Sequence, residues 1–543
     1  MKYRLLLIFL LITGVLSATN QKIALYRLFQ FEVENKNEYS NKYTGVELNV
    51  QYQSPSGLCY NFHGFYDGDG KGNADGTIWK LRFMPNEIGE WTFTYSWSDG
   101  TPGGTDTFVC VNDGAGNGML KAYEKNPHWF AYNGTRPVWL KSYYETGHGS
   151  LGQDFEWVKQ NVYWPLINNG YNHLQVNWLL SLCCTDQYYK DGPEPETLDL
   201  ILYEEGNIWN SMNHDVWRRM EQHLGWLNNN DVNVHMFLGV DGSQNNGPDW
   251  SKLTAEDKAR FVKYMIARLA PFANIAGWNF VWEVPGNRED KELGFARLVQ
   301  KYDIFEHLRT YEDEFPRENE YGRSEYSFAA VENHEIASPI RDMDRKYWKE
   351  PWTHHMACLL GYAGKPVFMS EGNALWRRFW QQRTKASRNE LRQSAWACAT
   401  AAASFTWCGH AGEEALFAAG AEGLPFNEEN PYTESAQHIT ILADIMQHDV
   451  AFYEMKPTDE LLSDCSVLQV YALAEPGEQY LVFATAGSSF SLQVKKGDYN
   501  IVKWIDTKNG TVQHQTRLEI KSETTTKFNP PTNDTDWVLV VKR

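Results

Sequence analysis

A chain of 543 residues is too long for one ordinary domain and long enough to bury an ample core. Its net charge of -19, with no basic stripe to offset it, sets aside nucleic acid and anionic membrane surfaces as partners, because their phosphates are repelled over most of the surface. With 22 Trp and 29 Tyr the chain is unusually aromatic; most of these rings belong in cores, and a minority suits the apolar faces of sugars in a cleft.

In chain order, residues 1–18 place Lys2 and Arg4 before an apolar run from Leu5 to Leu11 and small residues at Ser17 and Ala18. That is the pattern of a secretory signal peptide, so the mature protein is expected to be secreted or periplasmic. No later stretch reaches the roughly 18 apolar residues of a membrane span. Residues 20–115 alternate short β-type runs (ELNVQYQ, WKLRFMP, WTFTYSW, TFVCV) with Gly, Asp and Pro turns, which predicts a small immunoglobulin-like antiparallel sandwich. Cys59 and Cys110 are candidates for a disulfide between two of its strands. The loop DGDGKGNADG from Asp67 invites a calcium reading, but Lys71 and Ile78 stand where an EF-hand needs oxygen ligands. No metal or other cofactor is expected.

From 116 to 455 apolar runs alternate with amphipathic helices: VWLKSY (138–143), HLQVNWL (173–179), VHMFLGV (234–240), NFVWEV (279–284), PVFMSEG (366–372) and SFTWCGH (404–410). One helix begins at Thr254 and Asp257 and puts Phe261, Met265 and Leu269 on one face; another carries Val216, Met220, Leu224 and Leu227. Six strands, with room for two more between 300 and 335, predict a closed (β/α)8 TIM barrel. The β pattern returns over 456–543 (VLQVYAL, QYLVFAT, NIVKWID, DWVLVVK), giving a C-terminal antiparallel β-sandwich. The fold class is therefore α/β, a barrel flanked by two β-sandwich domains.

In such a barrel the chemistry sits at the C-terminal ends of the strands. Glu283 closes NFVWE and Glu371 closes PVFMSE. Two carboxylates on facing strands are what glycoside hydrolysis needs, one to protonate the leaving oxygen and one to attack or to activate water. Trp407, on the last strand, is a candidate sugar platform, and Trp178, Asp241, His334 and Glu145 also end apolar runs. His334-Glu335 lacks the second His of a zinc motif, since Ser338 stands in its place. Arg288, Arg377 and Arg378 follow strands four and seven and are placed to hold a substrate carboxylate or sulfate in bidentate fashion. Salt bridges to local acids are the alternative use of these arginines.

The stretch HWFAYNGTRPVWL, with Phe130, Tyr132, Gly134, Thr135 and Pro137, is similar to the Phe-x-Tyr-x-Gly-Thr-Pro phrase that leads into the barrel of the apiosidase-like glycoside hydrolases. HGFYDGDG and WKLRFMPNEIGEWTFTY resemble the β-sandwich often found before such barrels, and IVKWIDTKNG and DWVLVVK the small β-domain often found after them. The resemblance implies a carbohydrate-active enzyme related to clan A hydrolases, with Glu371 as nucleophile after strand seven. Strand four departs from the pattern. The family's acid is the Asp of Trp-x-x-Gly-Gly-Asp-Arg; counted from Trp282, this chain has Gly286 and Arg288 in place but Asn287 at the acid position. Three assignments stay open: Glu283 is the acid with Asn287 a hydroxyl ligand, Glu289 is the acid, or the barrel binds glycan without cutting it. Strand alternation puts Glu283 and Asn287 on one face. Burial there would raise the Glu283 carboxyl, as a general acid requires.

Overall fold

The computed structural model describes residues 21–145, 151–176, 178, 208–210, 212–237, 250–282, 293–313, 321–332, 354, 357–358, 361, 364–372, 388–408, 433–466 and 469–543. Eight parallel strands close into a barrel in chain order: Ser142–Glu145, His173–Val176, Asn233–Phe237, Ile275–Trp282, Arg309–Asp313, Ala329–Glu332, Val367–Gly372 and Ala403–Cys408. The first pairs with the last at Ser142↔Thr406. Strands five and six fill the interval where two were expected. Strand one begins at Ser142, four residues later than the apolar run predicts, because Val138 and Leu140 are used below the barrel.

There, the strands Leu120–Ala122, Phe130–Tyr132 and Arg136–Pro137 form a small antiparallel sheet. Leu120, Phe130, Tyr132 and Leu140 pack with Ala276, Leu308, Phe328 and Phe368, stoppering the N-terminal mouth. The Tyr132 hydroxyl accepts a hydrogen bond from Asn233 Nδ2 at 2.8 Å. The turn that aims this hairpin needs two left-handed residues, and Asn133 and Gly134 supply them with φ of 52° and 74°.

The helices His214–Asn229 and Ala255–Leu269 bury the faces read from their periodicity, including Val216, Met220, Leu224 and Leu227 on the first. Thr254 caps the second by accepting from Asp257 N at 3.1 Å.

The N-terminal sheets form a sandwich. Five strands (order Lys22–Ala24, Gly104–Val111, Gly89–Trp97, Leu48–Gln53, Cys59–His63) face three (Phe29–Glu34, Ile78–Phe83, Phe65–Tyr66). Ring stacks of Phe29 on Phe108 (3.9 Å) and Tyr52 on Phe83 (4.2 Å) join the layers. The Cys59–Cys110 pairing is not made: both thiols are free. Their strands are separated by two others, so about 14 Å of sheet lies between them, twice the reach of a disulfide.

The second face of the three-stranded layer meets the barrel through a buried ion lattice. Arg268, with no exposed surface, bonds Glu221 Oε1 through Nε (2.5 Å) and Asp67 Oδ1 through Nη1 (2.8 Å). Arg82 holds the other Glu221 oxygen (2.8 Å) and the Arg268 carbonyl (2.7 Å), and Lys80 holds Asp67 Oδ2 (2.5 Å). Burial alone would raise the Asp67 carboxyl; Arg268, His214 and Lys80 outweigh it and hold Asp67 far below the usual carboxylate range. In the same loop Asp69 accepts from Lys71 N (2.7 Å), Asn73 N (3.0 Å) and Asn73 Nδ2 (2.6 Å). The aspartates that invited a calcium reading are thus spent on a domain clamp and a turn.

The C-terminal unit packs six strands (Lys456–Pro457, Val470–Glu475, Gln479–Ala484, Trp537–Lys542, Gly497–Asp506, Val512–Ile520) on three (Leu462–Ser463, Phe490–Val494, Thr524–Phe528). Gln479–Ala484 is buried throughout. Tyr480 and Val482 face their own sandwich, while Phe483 stacks on Trp396 of the barrel helix Arg388–Thr400 at 5.7 Å. Arg392 of that helix pairs with Asp536 at 2.8 Å, both nearly sealed from solvent. Nearby His354 stacks on Tyr471 (3.9 Å) and donates to Ala397 O (2.9 Å) and Asp459 Oδ2 (2.6 Å). Burial would lower its pKa, but Asp459 and Cys358 overcome that and push it up to about 10. Among the described residues no helix is long and apolar enough to cross a membrane.

Two outcomes follow from these clamps. Glu221→Gln leaves two buried guanidiniums short of a counter-charge and should cost about 3–5 kcal/mol in guanidinium denaturation; a loss below about 1 kcal/mol would show that the lattice does not hold the domains. Because the folded pKa of His354 lies above its ordinary 6.5, its contribution is fully present below pH 6.5 and is lost as pH rises through about 10. Thermal midpoints measured from pH 6 to 10.5 should fall along this window, and Asp459→Asn should flatten the fall.

Candidate active site at the C-terminal mouth of the barrel

The backbone carries irregularities where the sequence puts its acids. On strand seven the register jumps from Val331↔Met369 to Glu332↔Glu371, inserting one extra residue immediately before Glu371. On strand four it jumps from Asn279↔Thr310 to Trp282↔Glu312, again with one extra residue, between Asn279 and Trp282 near the end of the strand. Bulges of this kind re-aim the chain and recur beside active sites. Strand eight meets strand seven at Gly372↔Trp407, so the backbones of Glu371 and Trp407 end neighbouring strands on the same rim.

Glu283, Asn287, Arg288, Glu289, Asp241, His334, Arg377 and Arg378 lie outside the described residues. Trp178, two residues past strand two, is buried, with its ring 5.5 Å from that of His223 on the helix His214–Asn229.

Beneath the rim the interior is built by alternation. Leu174 and Val176 join the core shared with the helices, so His173 and Gln175 between and before them face inward. His173 confirms the direction: its ring lies 4.9 Å from Phe368 across the barrel and 6.2 Å from His235. Its Nδ1 shares a hydrogen bond with Ser142 Oγ (2.7 Å), and Ser142 Oγ with Thr406 Oγ1 (2.9 Å). This chain ties strands two, one and eight at the seam where the barrel closes. Burial drives the pKa of His173 well below its ordinary value, helped by His235, and burial lowers His235 to about 3. Both rings are therefore neutral hydrogen-bonding groups at any physiological pH.

None of Ser142, His173, Gln175 or His235 stands out from sequence. The signal was the polar residue at every second position of HLQV and NVHMF, which in a barrel strand marks an inner face that is not wholly apolar.

Residues 22–98 match a family described as "Domain of unknown function (DUF5060)", and residues 460–542 one described as "Putative collagen-binding domain of a collagenase". No curated protein matches the chain. Among solved structures, a "putative glycoside hydrolase" from Bacteroides vulgatus superposes with a TM-score of 0.69 over 96% of this chain and 100% of that one, at 16% identity. A glycoside hydrolase family 5 structure from the same organism gives 0.58 over 78% of this chain and 94% of that one, also at 16% identity. At such identities the likeness is one of fold, and it runs through all three layers of the chain.

The neutral state of the interior histidines is directly measurable. The Cε1–H resonances of His173 and His235 should not move between pH 8 and pH 5; a titration of either above pH 5 would contradict the sealed floor.

Proposed function

We propose that the protein is a secreted glycoside hydrolase of the apiosidase-like type, cleaving O-glycosidic bonds in a poly- or oligosaccharide. Supporting this is one observation above the others: an extra residue is inserted on strand seven directly before Glu371 and another on strand four between Asn279 and Trp282, the strand that leads to Glu283, in a chain whose fold follows a "putative glycoside hydrolase" structure from Bacteroides end to end. Glu371 attacks the anomeric carbon to form a glycosyl ester while Glu283 protonates the departing oxygen; Glu283 then takes a proton from water as the ester is hydrolysed. Asn287 holds a sugar hydroxyl, Trp407 supplies a platform, and Arg288 and Arg377 border the cleft. Asn287, standing where the family's acid would be, favours a second reading in which the barrel binds glycan without cutting it.

Glu371→Gln should lower turnover by several orders of magnitude with folding intact, since an amide forms no glycosyl ester. Glu283→Gln should cripple natural glycans yet spare the first step on dinitrophenyl glycosides, whose phenolate needs no proton to leave. Glu289→Gln should change neither; if it gives the selective loss instead, Glu289 is the acid. A parent protein that binds glycans by calorimetry and turns over no glycoside would establish the second reading.

A further inference from the structure

Gln175 is fully buried on the inner face of strand two, and neither its Oε1 nor its Nε2 has a hydrogen-bond partner among the described residues. An amide offers two donors and an acceptor, and native interiors leave very few such groups unmet. Two residues back, by contrast, His173 is held by Ser142, and Ser142 by Thr406. An apolar side chain of the same length would fill this position without penalty, so the unmet amide points to something that docks on it. Its place says where that partner comes from. Among the described residues Gln175 is the last inward position of strand two, toward the end of the barrel where ligands enter.

We propose that Gln175 is a specificity-determining contact on the floor of the cleft, its amide exchanging hydrogen bonds with a hydroxyl of a neutral glycosyl unit. This rests on the hydrolase reading and narrows it. A hydroxyl both donates and accepts, as the amide does, whereas a carboxylate or sulfate only accepts and needs a cation. The described inward groups around Gln175 are His173, Ser142, His235 and Thr406, none of them cationic.

The test compares wild type with Gln175→Met, which keeps the length and removes the hydrogen bonds, on methylumbelliferyl glycosides of neutral sugars and of uronic acids. Wild type should prefer a neutral sugar. Gln175→Met should lower kcat/KM on it by about 10- to 100-fold, and the deficit should vanish on the monodeoxy analogue lacking the contacted hydroxyl. The thermal midpoint of the free variant should equal or exceed that of wild type, because an unmet buried amide is gone. Should Gln175→Met fail to fold, Gln175→Leu, which also removes the hydrogen bonds in a slightly smaller apolar side chain, carries the same comparison. An unchanged kcat/KM, a deficit equal on every deoxy analogue, or a preference for uronides would overturn the assignment while leaving the hydrolase reading standing. A wild-type protein that neither cleaves nor binds any member of the panel would overturn both.

Discussion

Arg268 is a guanidinium with no solvent around it, and such a charge is tolerable only where the chain brings its counter-charges to meet it. Glu221 comes from the neighbouring barrel helix, and Asp67 from the N-terminal sandwich, together with Lys80 and Arg82. Neither unit can leave without stranding buried ions, so the sandwich is a fixed part of the barrel wall. The helix that carries Arg268, Ala255–Leu269, leads directly into strand four. A matching clamp, Arg392 with Asp536 and Trp396 with Phe483, holds the helix Arg388–Thr400 that follows strand seven. Each flanking domain thus braces a helix next to one of the two strands that carry the candidate acids.

Bracing matters because those two strands are the irregular ones. A bulge costs ladder hydrogen bonds and bends the chain, and a strand free to slip by one residue would regain pairing while sending each side chain to the opposite face. A helix fixed from outside and the Phe130, Phe328 and Phe368 stopper fixed from below leave strands four and seven no slack in which to slip. The seam between strands one and eight is secured differently, by the hydroxyl and imidazole chain through Ser142, whose members are neutral and so hold at any ordinary pH.

The barrel was legible because six of its strands are short apolar runs between helices of clear 3.6-residue period. Strand one was displaced because Val138 and Leu140 are as apolar as a strand, and no periodicity separates a stopper from a wall. The clamp was illegible for a related reason. In WKLRFMP alternation puts Lys80 and Arg82 on the face away from the sandwich core, which reads as solvent until a second domain covers it. The Cys59–Cys110 pairing failed because strand order in a sheet is a tertiary fact: sequence places both on strands but not two strands apart. At the site, Glu371 was visible as the end of an apolar run, whereas Gln175 was hidden inside one.

The interior and the surface carry opposite electrical characters, and the difference bears on what reaches the cleft. The exterior field of a chain with net charge -19 slows the approach of polyanions over a Debye length of roughly 8–10 Å. Neutral glycans feel no such field. Inside, among the described residues, the two histidines are held neutral by burial and lie among hydroxyls, an amide and the rings of Phe328 and Phe368. Along the barrel axis, uncharged hydrogen bonds among the described side chains thus tie the seam at depth, while the register irregularities of strands four and seven lie toward the strand ends.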